Sequence, residues 1–196
     1  MTTLRPVAVA RHVALLRGIN VGGHNKIAMA DLRTGFESDG HRDIRTYIQS
    51  GNVVFSADDS KATSVLETEI ERMLEHRYDT AIAVVVRSLT QFRHVVTKSP
   101  AVFVQESHRY HCDVIFLKES LTVAHALQAV ERRDGVDLAW PGRGVLYFAR
   151  LSERRSESRL SRIVGRPEYQ RMTIRNWNTT TKLLTLANES LDPSRP

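Results

Sequence analysis

The chain holds one cysteine, Cys112, in 196 residues. That excludes an internal disulfide framework and fits a reducing compartment; ahead of the apolar run Val114 to Leu117, Cys112 reads as a small core residue rather than a reactive thiol. No stretch approaches the ~20 apolar residues of a membrane helix, and Met1 to Arg11 lacks the apolar region of a secretory signal. A cytoplasmic protein with no membrane partner is expected. The sequence also lacks nucleotide fingerprints. Gly18 to Gly23 has neither the lysine-serine pair of a P-loop nor the third spaced glycine of a dinucleotide motif, which argues against ATP hydrolysis and Rossmann-type binding. The eight histidines are scattered, and His108, His111 and Cys112 have no partners at metal-ligand spacing. No metal and no cofactor are expected. Lysine is scarce, with five against 23 arginines, so an arginine-rich stretch partly reflects composition.

A length of 196 residues with 41% hydrophobic content is enough to bury a substantial core. Hydrophobic periodicity predicts a strand over about 12–17, a helix over 29–39, strands over 44–49 and 52–57 joined at Ser50-Gly51-Asn52, a helix over 61–77, and a strand Ile82 to Val86. This is βαββαβ. The last strand has no polar alternation and reads as buried on both faces although the topology puts it at a sheet edge. Glu67, Glu69, Glu71 and Glu75 read as the solvated side of the second helix. A linking helix over 89–98 is followed by a strand at 111–117, a helix carrying Val123, Leu127 and Val130, and a strand ending near Trp140. After the turn Pro141 to Gly144 come a strand Val145 to Leu151, an arginine-striped helix ending at Gly165, a short strand at Met172 to Ile174, and a helix over 177–189. The expected class is α/β (α+β): two tandem ferredoxin-like split βαβ units packed as one compact protein, over 1–88 and 89–196.

Three polar segments carry the candidate chemistry. In LLRGINVGGHNK, adjacent glycines before a helix allow a nest of backbone N–H groups, a ready anion site. A right-handed crossover makes the first two strands run the same way, so this loop and the Ser50 turn should be neighbours. Arg17, Asn20, Gly22, Gly23 and Lys26 would then join Gln49, Ser50 and Asn52, although turn geometry alone also accounts for the glycines and for Asn52. In RNWNTTTK, Arg175, Asn176, Asn178 and Lys182 put cations and hydrogen-bonding groups near a helix start, a second half-site. Asn176 or Asn178 can equally cap that helix, with Trp177 as a core anchor. Arg155, Arg159, Arg162 and Arg166 fall at i, i+4, i+7 and i+11, one face of a helix with Leu160, Ile163 and Val164 turned to the core. That face is either an ordinary solvated surface or a weak nucleic-acid surface.

The segments LLRGINVGG (Leu15 to Gly23), Lys26, Met29 to Leu32, TYIQSGNVVF (Thr46 to Phe55), RNWNT (Arg175 to Thr179) and Lys182-Leu183 bracket nearly the whole chain. In these the sequence resembles a bacterial family catalogued as domain of unknown function family 1697. His24 and Ala28 depart from the family pattern, where lysine or another polar residue and proline are usual. The resemblance implies an α/β protein with ferredoxin-like elements and supplies no reaction. The residues themselves point to binding of an anionic, phosphate-bearing ligand, a nucleotide or nucleic acid. The alternatives are a small ferredoxin-like phosphate-ester or acyl-phosphate hydrolase, by fold analogy, and a protein-interaction module using the basic helix. No segment spells a known reaction.

Overall fold

The computed structural model describes residues 8–22 and 25–189. They divide into two compact units, one comprising the described residues up to Thr90 and from Thr185 to Glu189, the other Gln91–Leu184.

The first unit starts with β1 (Val9–Leu16), α1 (Met29–Ser38), β2 (Arg42–Tyr47) and β3 (Asn52–Asp58), and continues with α2 (Thr63–Tyr78) and β4 (Val84–Ser88). The strand order is β2-β3-β1-β4, with neighbours antiparallel. This is the ferredoxin-like order, and it makes β1 and β2 run the same way. β1 is apolar at consecutive positions because both its faces are buried: Ala14 and Leu16 on one, Val13 and Leu15 on the other. Ala14, Leu16, Val53 and Phe55 meet Leu32 and Phe36 of α1 and Leu66, Ile70 and Leu74 of α2 in a continuous core. Each fully buried side chain of this size contributes about 1.5–3 kcal/mol.

As expected, β4 lies at the sheet edge with Val84, Val85 and Val86 buried. An edge strand leaves alternate N–H groups without a strand partner. Here Val84 N–H donates to Glu71 Oε1 at 2.8 Å and Val86 N–H to Glu67 Oε1 at 2.9 Å. Two glutamates four apart on α2 thus serve two residues two apart on the strand. Glu67 is 2% exposed, so the expectation of a solvated glutamate face fails for it, and Arg87 balances its charge at 3.6 Å. The β2–β3 turn also differs from expectation. β2 ends at Tyr47, because Ile48 takes φ 48° and turns the chain two residues early.

Helix α3 (Leu89–Thr97) leads into the second unit, which holds α4 (Val102–Gln105), β5 (Tyr110–Leu117), α5 (Val123–Ala129), β6 (Asp137–Gly142), β7 (Val145–Leu151) and β8 (Met172–Asn176). Helix α6 (Trp177–Asn188) follows. The order β6-β7-β5-β8 repeats that of the first sheet, again with neighbours antiparallel. Ile115, Leu117, Leu146 and Phe148 pack with Ala126 and Ala129 of α5, and with Val130 just beyond it, on one side. On the other, Phe92 stacks on Phe116, and Phe103 sits edge-on to Tyr147. Cys112 is buried and its thiol is pushed up to about 11 by desolvation, as a core cysteine should be.

The arginine-striped α-helix is not formed. Residues between β7 and β8 make three 3-10 helices, Ser152–Glu157, Leu160–Gly165 and Pro167–Arg171. Ser158 and Arg166 are extended between them, with ψ of 141° and 140°; Arg166 precedes Pro167, which disfavours the helical region. At three residues per turn, Leu160 and Ile163 align on the core and Val164 rotates outward to 61% exposure. The 3.6-residue spacing had placed Val164 inside. The carboxylate of Asp137 accepts the N–H groups of both Arg133 and Arg159 at 2.9 Å and pins the start of the second 3-10 helix.

Candidate functional site

Because β1 and β2 end together, the β1–α1 loop and the β2–β3 turn meet. Leu16 N–H donates to Gly51 O at 2.8 Å, and Arg17 N–H to Ala83 O at 2.9 Å. A side chain at Gly51 would strike Ile19 Cδ1 and Leu16 Cβ, both 2.8 Å from its ideal Cβ position, so glycine is needed for the turn to seat against the loop. Within the loop, Gly18, Asn20 and Gly22 have φ of 68°, 55° and 61°, and the residues between them do not share the positive sign. Alternation of handedness is the backbone pattern of an anion-binding nest, although the Asn20 N–H is itself taken by Asn25 O at 3.1 Å.

Asn20 is the clip that holds this loop. Its Nδ2 donates to Ile27 O at 2.9 Å and Gln49 O at 2.8 Å, while its Oδ1 accepts Ile27 N–H at 2.8 Å. Asn52 is fully buried, and its Nδ2 donates to Tyr47 O at 3.0 Å and Ser50 Oγ at 3.1 Å, closing the turn. The two asparagines therefore build the junction from within. Between the two loops lies a surface hollow of about 470 Å³, lined by Asn20, Lys26, Ile27, Ala28 and Gln49. Lys26 and Gly22 are exposed, while Arg17 and Ser50 are half-buried. Gly23 lies outside the described residues. Helix α1 opens beside the hollow with Ala28 at its N-cap, where no side chain caps the first turn.

The RNWNT segment divides among several tasks. Arg175 is buried in β8, donates through Nη1 to Ile174 O at 2.9 Å, and has its pKa lowered to about 10 by desolvation. Asn176 caps α6, accepting Thr179 N–H at 2.7 Å. Trp177 packs edge-on to Phe103, with ring centroids 5.1 Å apart. Asn178 and Lys182, one helical turn apart, are exposed.

The four arginines of the expected stripe are not carried on one α-helix. Arg162 and Arg166 both pair with Glu131, at 2.8 and 3.1 Å, and hold its carboxyl below the usual range. Arg155 is exposed on the first 3-10 helix, and Arg159 is exposed at the N-cap of the second.

Two features of the site were missed in the sequence. Ile48, in the turn, and Val21, in the loop, are large apolar residues left 49% and 61% exposed. Ile48 reads as the end of a strand, and no local pattern announces its left-handed backbone.

The chain belongs to the family described as "Protein of unknown function (DUF1697)", whose profile matches residues 9–147. The match runs from β1 into β7, so the candidate loop and turn lie inside it and RNWNT lies beyond. Among solved structures, the conserved bacterial protein SP0830 from Streptococcus pneumoniae is similar, with 27% identity and a TM-score of 0.78 over 92% of this chain and 100% of that one. Comparison with curated proteins yields no match. Among the described residues, no helix is long and apolar enough to cross a membrane.

Proposed function

We propose that the protein binds a phosphate-bearing anion at the β1–α1 loop. The observation that carries this reading is the run of alternating handedness at Gly18, Asn20 and Gly22 beside a hollow rimmed by the exposed Lys26. The Gly22 amide, with Gly23 next to it in sequence, supplies donors, and Lys26 and Arg17 supply charge. Gln49, Ser50 and Asn52 hold the facing turn in place. The uncapped start of α1 adds a favourable dipole end. A separate, weaker anion contact is assigned to Asn178 and Lys182 on α6, with Arg175 as the buried charge behind the helix start. No observation favours the hydrolase reading, because the side-chain amides of Asn20 and Asn52 that would orient a water are already donating within the fold.

The test is a titration of the full chain with inorganic phosphate and pyrophosphate, followed by amide NMR shifts. The expected result is movement concentrated at Gly18 to Gly22 and Lys26, with affinity roughly tenfold weaker in Lys26→Gln. Shifts confined to other regions, or none at millimolar anion, would remove the site.

A further inference from the structure

We propose that the natural ligand of this loop is an organophosphate whose apolar or aromatic body lies against Ile48 and Val21; this rests on the anion-binding reading above. Ile48 is the central observation. Five non-glycine residues among those described have positive φ: Asn20, Asn25, Asp43 and Asp79, which are of the types that tolerate it, and Ile48 at 48°. A β-branched residue is strained there. Ile48 is 49% exposed, so core packing does not offset the strain. Asparagine or glycine would make the same turn without it.

The turn has no freedom to relax. Asn52 Nδ2 holds Tyr47 O at 3.0 Å on one side of Ile48, and Asn20 Nδ2 holds Gln49 O at 2.8 Å on the other. Backbone strain that the surroundings over-determine is characteristic of ligand-contacting positions. Val21 is 61% exposed and stands next to Asn20, as Ile48 stands next to Gln49. Val21 and Ile48 thus adjoin in sequence the two residues of a hydrogen bond between loop and turn, and those two residues, Asn20 and Gln49, line the hollow together with Lys26. A cation on the hollow, with exposed branched side chains next in sequence to two of the residues that line it, suits an anion joined to an apolar group. Inorganic phosphate would leave the aliphatic pair unused.

The experiment compares inorganic phosphate, methyl phosphate and phenyl phosphate, which share the charged group and differ in apolar body, on the full chain and on Ile48→Asn and Lys26→Gln. Phenyl phosphate is expected to bind the parent roughly tenfold more tightly than methyl phosphate. Ile48→Asn should abolish that advantage, leave inorganic phosphate affinity unchanged, and melt no lower than the parent because asparagine accepts the left-handed turn. Equal binding across the series in the parent, or an advantage that survives Ile48→Asn, would overturn this inference while leaving the anion site standing. Phenyl phosphate binding that is indifferent to Lys26→Gln, or no binding by any member, would remove the anion site and this inference together.

Discussion

The two units solve the same topological problem in different ways. Each joins its third strand to its fourth across a sheet of the same order. In the first the connection is the 16-residue helix α2, and in the second it is three 3-10 helices. The long helix repeats its contacts every four residues, so Glu67 and Glu71 can reach successive outward N–H groups of β4. The 3-10 path has no such repeat. It is fastened by Asp137, which accepts two backbone N–H groups, and by the surface pairs of Glu131 with Arg162 and Arg166. Strand order therefore does not require a helix of a given kind, only a connection whose ends are anchored and whose apolar residues reach the core.

The sharpest break of this comparison is Glu67→Ala. It leaves Val86 N–H unsatisfied and Arg87 without its carboxylate in a buried setting, and should cost about 3–5 kcal/mol in urea unfolding. Glu67→Gln, which keeps an acceptor, should cost less. A loss from Glu67→Ala no larger than that of a surface substitution would mean the carboxylate is not what holds the β4 edge.

Next in size is Asp137→Ala, which releases Arg133 and Arg159 N–H together. A loss of about 1.5–3 kcal/mol is expected, with increased amide exchange over Ser158 to Ile163. Unchanged exchange there would show that Leu160 and Ile163 hold the 3-10 path without Asp137.

Acid should tell the units apart more gently. Burial lowers the pKa of His12 and His41, both of which pack on Phe55. A neutral buried histidine takes up its proton more readily when unfolded. Its contribution is therefore fully present above the ordinary value near 6.5 and is lost as pH falls through the depressed folded pKa. Melting followed from pH 7.5 to pH 5 should fall in the parent and fall less in His41→Phe. Parallel curves would assign the acid sensitivity elsewhere, with the lowered, partly exposed His111 of the second unit the next group to test.

The smallest effect is expected from Glu131→Ala. Its arginine partners are more than half exposed, so the pairs are screened and contribute little to stability. The variant should melt close to the parent yet expose two unpaired arginines. If nucleic acid is bound at all, its affinity should rise and its salt dependence steepen, by roughly one unit of log-log slope per phosphate newly contacted. A large drop in melting temperature would show that this pair, and not Asp137, fastens the second connection.

Much of the fold was legible because it depends on local periodicity. The unbroken apolar β1 and β4, the amphipathic helices α1 and α2, and the family motifs are all written in consecutive residues. The meeting of the β1–α1 loop with the Ser50 turn also followed from crossover handedness. The arginine stripe misled because i, i+4, i+7 spacing of one residue type does not report backbone conformation. The interruption depended on Ser158, on Pro167 and on Asp137, which lies 22 positions before Arg159. The roles of Asn20 and Asn52 were open for a similar reason, since an asparagine that braces a loop and one that meets a ligand are the same letter.

By itself the sequence determined the family, the alternation of strands and helices, the two-fold repetition of strand order, and the turns written as glycine. Tertiary structure alone decided that Glu67 is a buried edge cap, that the basic segment is 3-10, that Arg175 turns inward, and that Ile48 stands strained beside Lys26's hollow. The physical reason is range. Periodicity and turn chemistry act over a few residues, whereas burial, ion pairing and backbone strain depend on which distant groups the sheet brings within hydrogen-bonding distance.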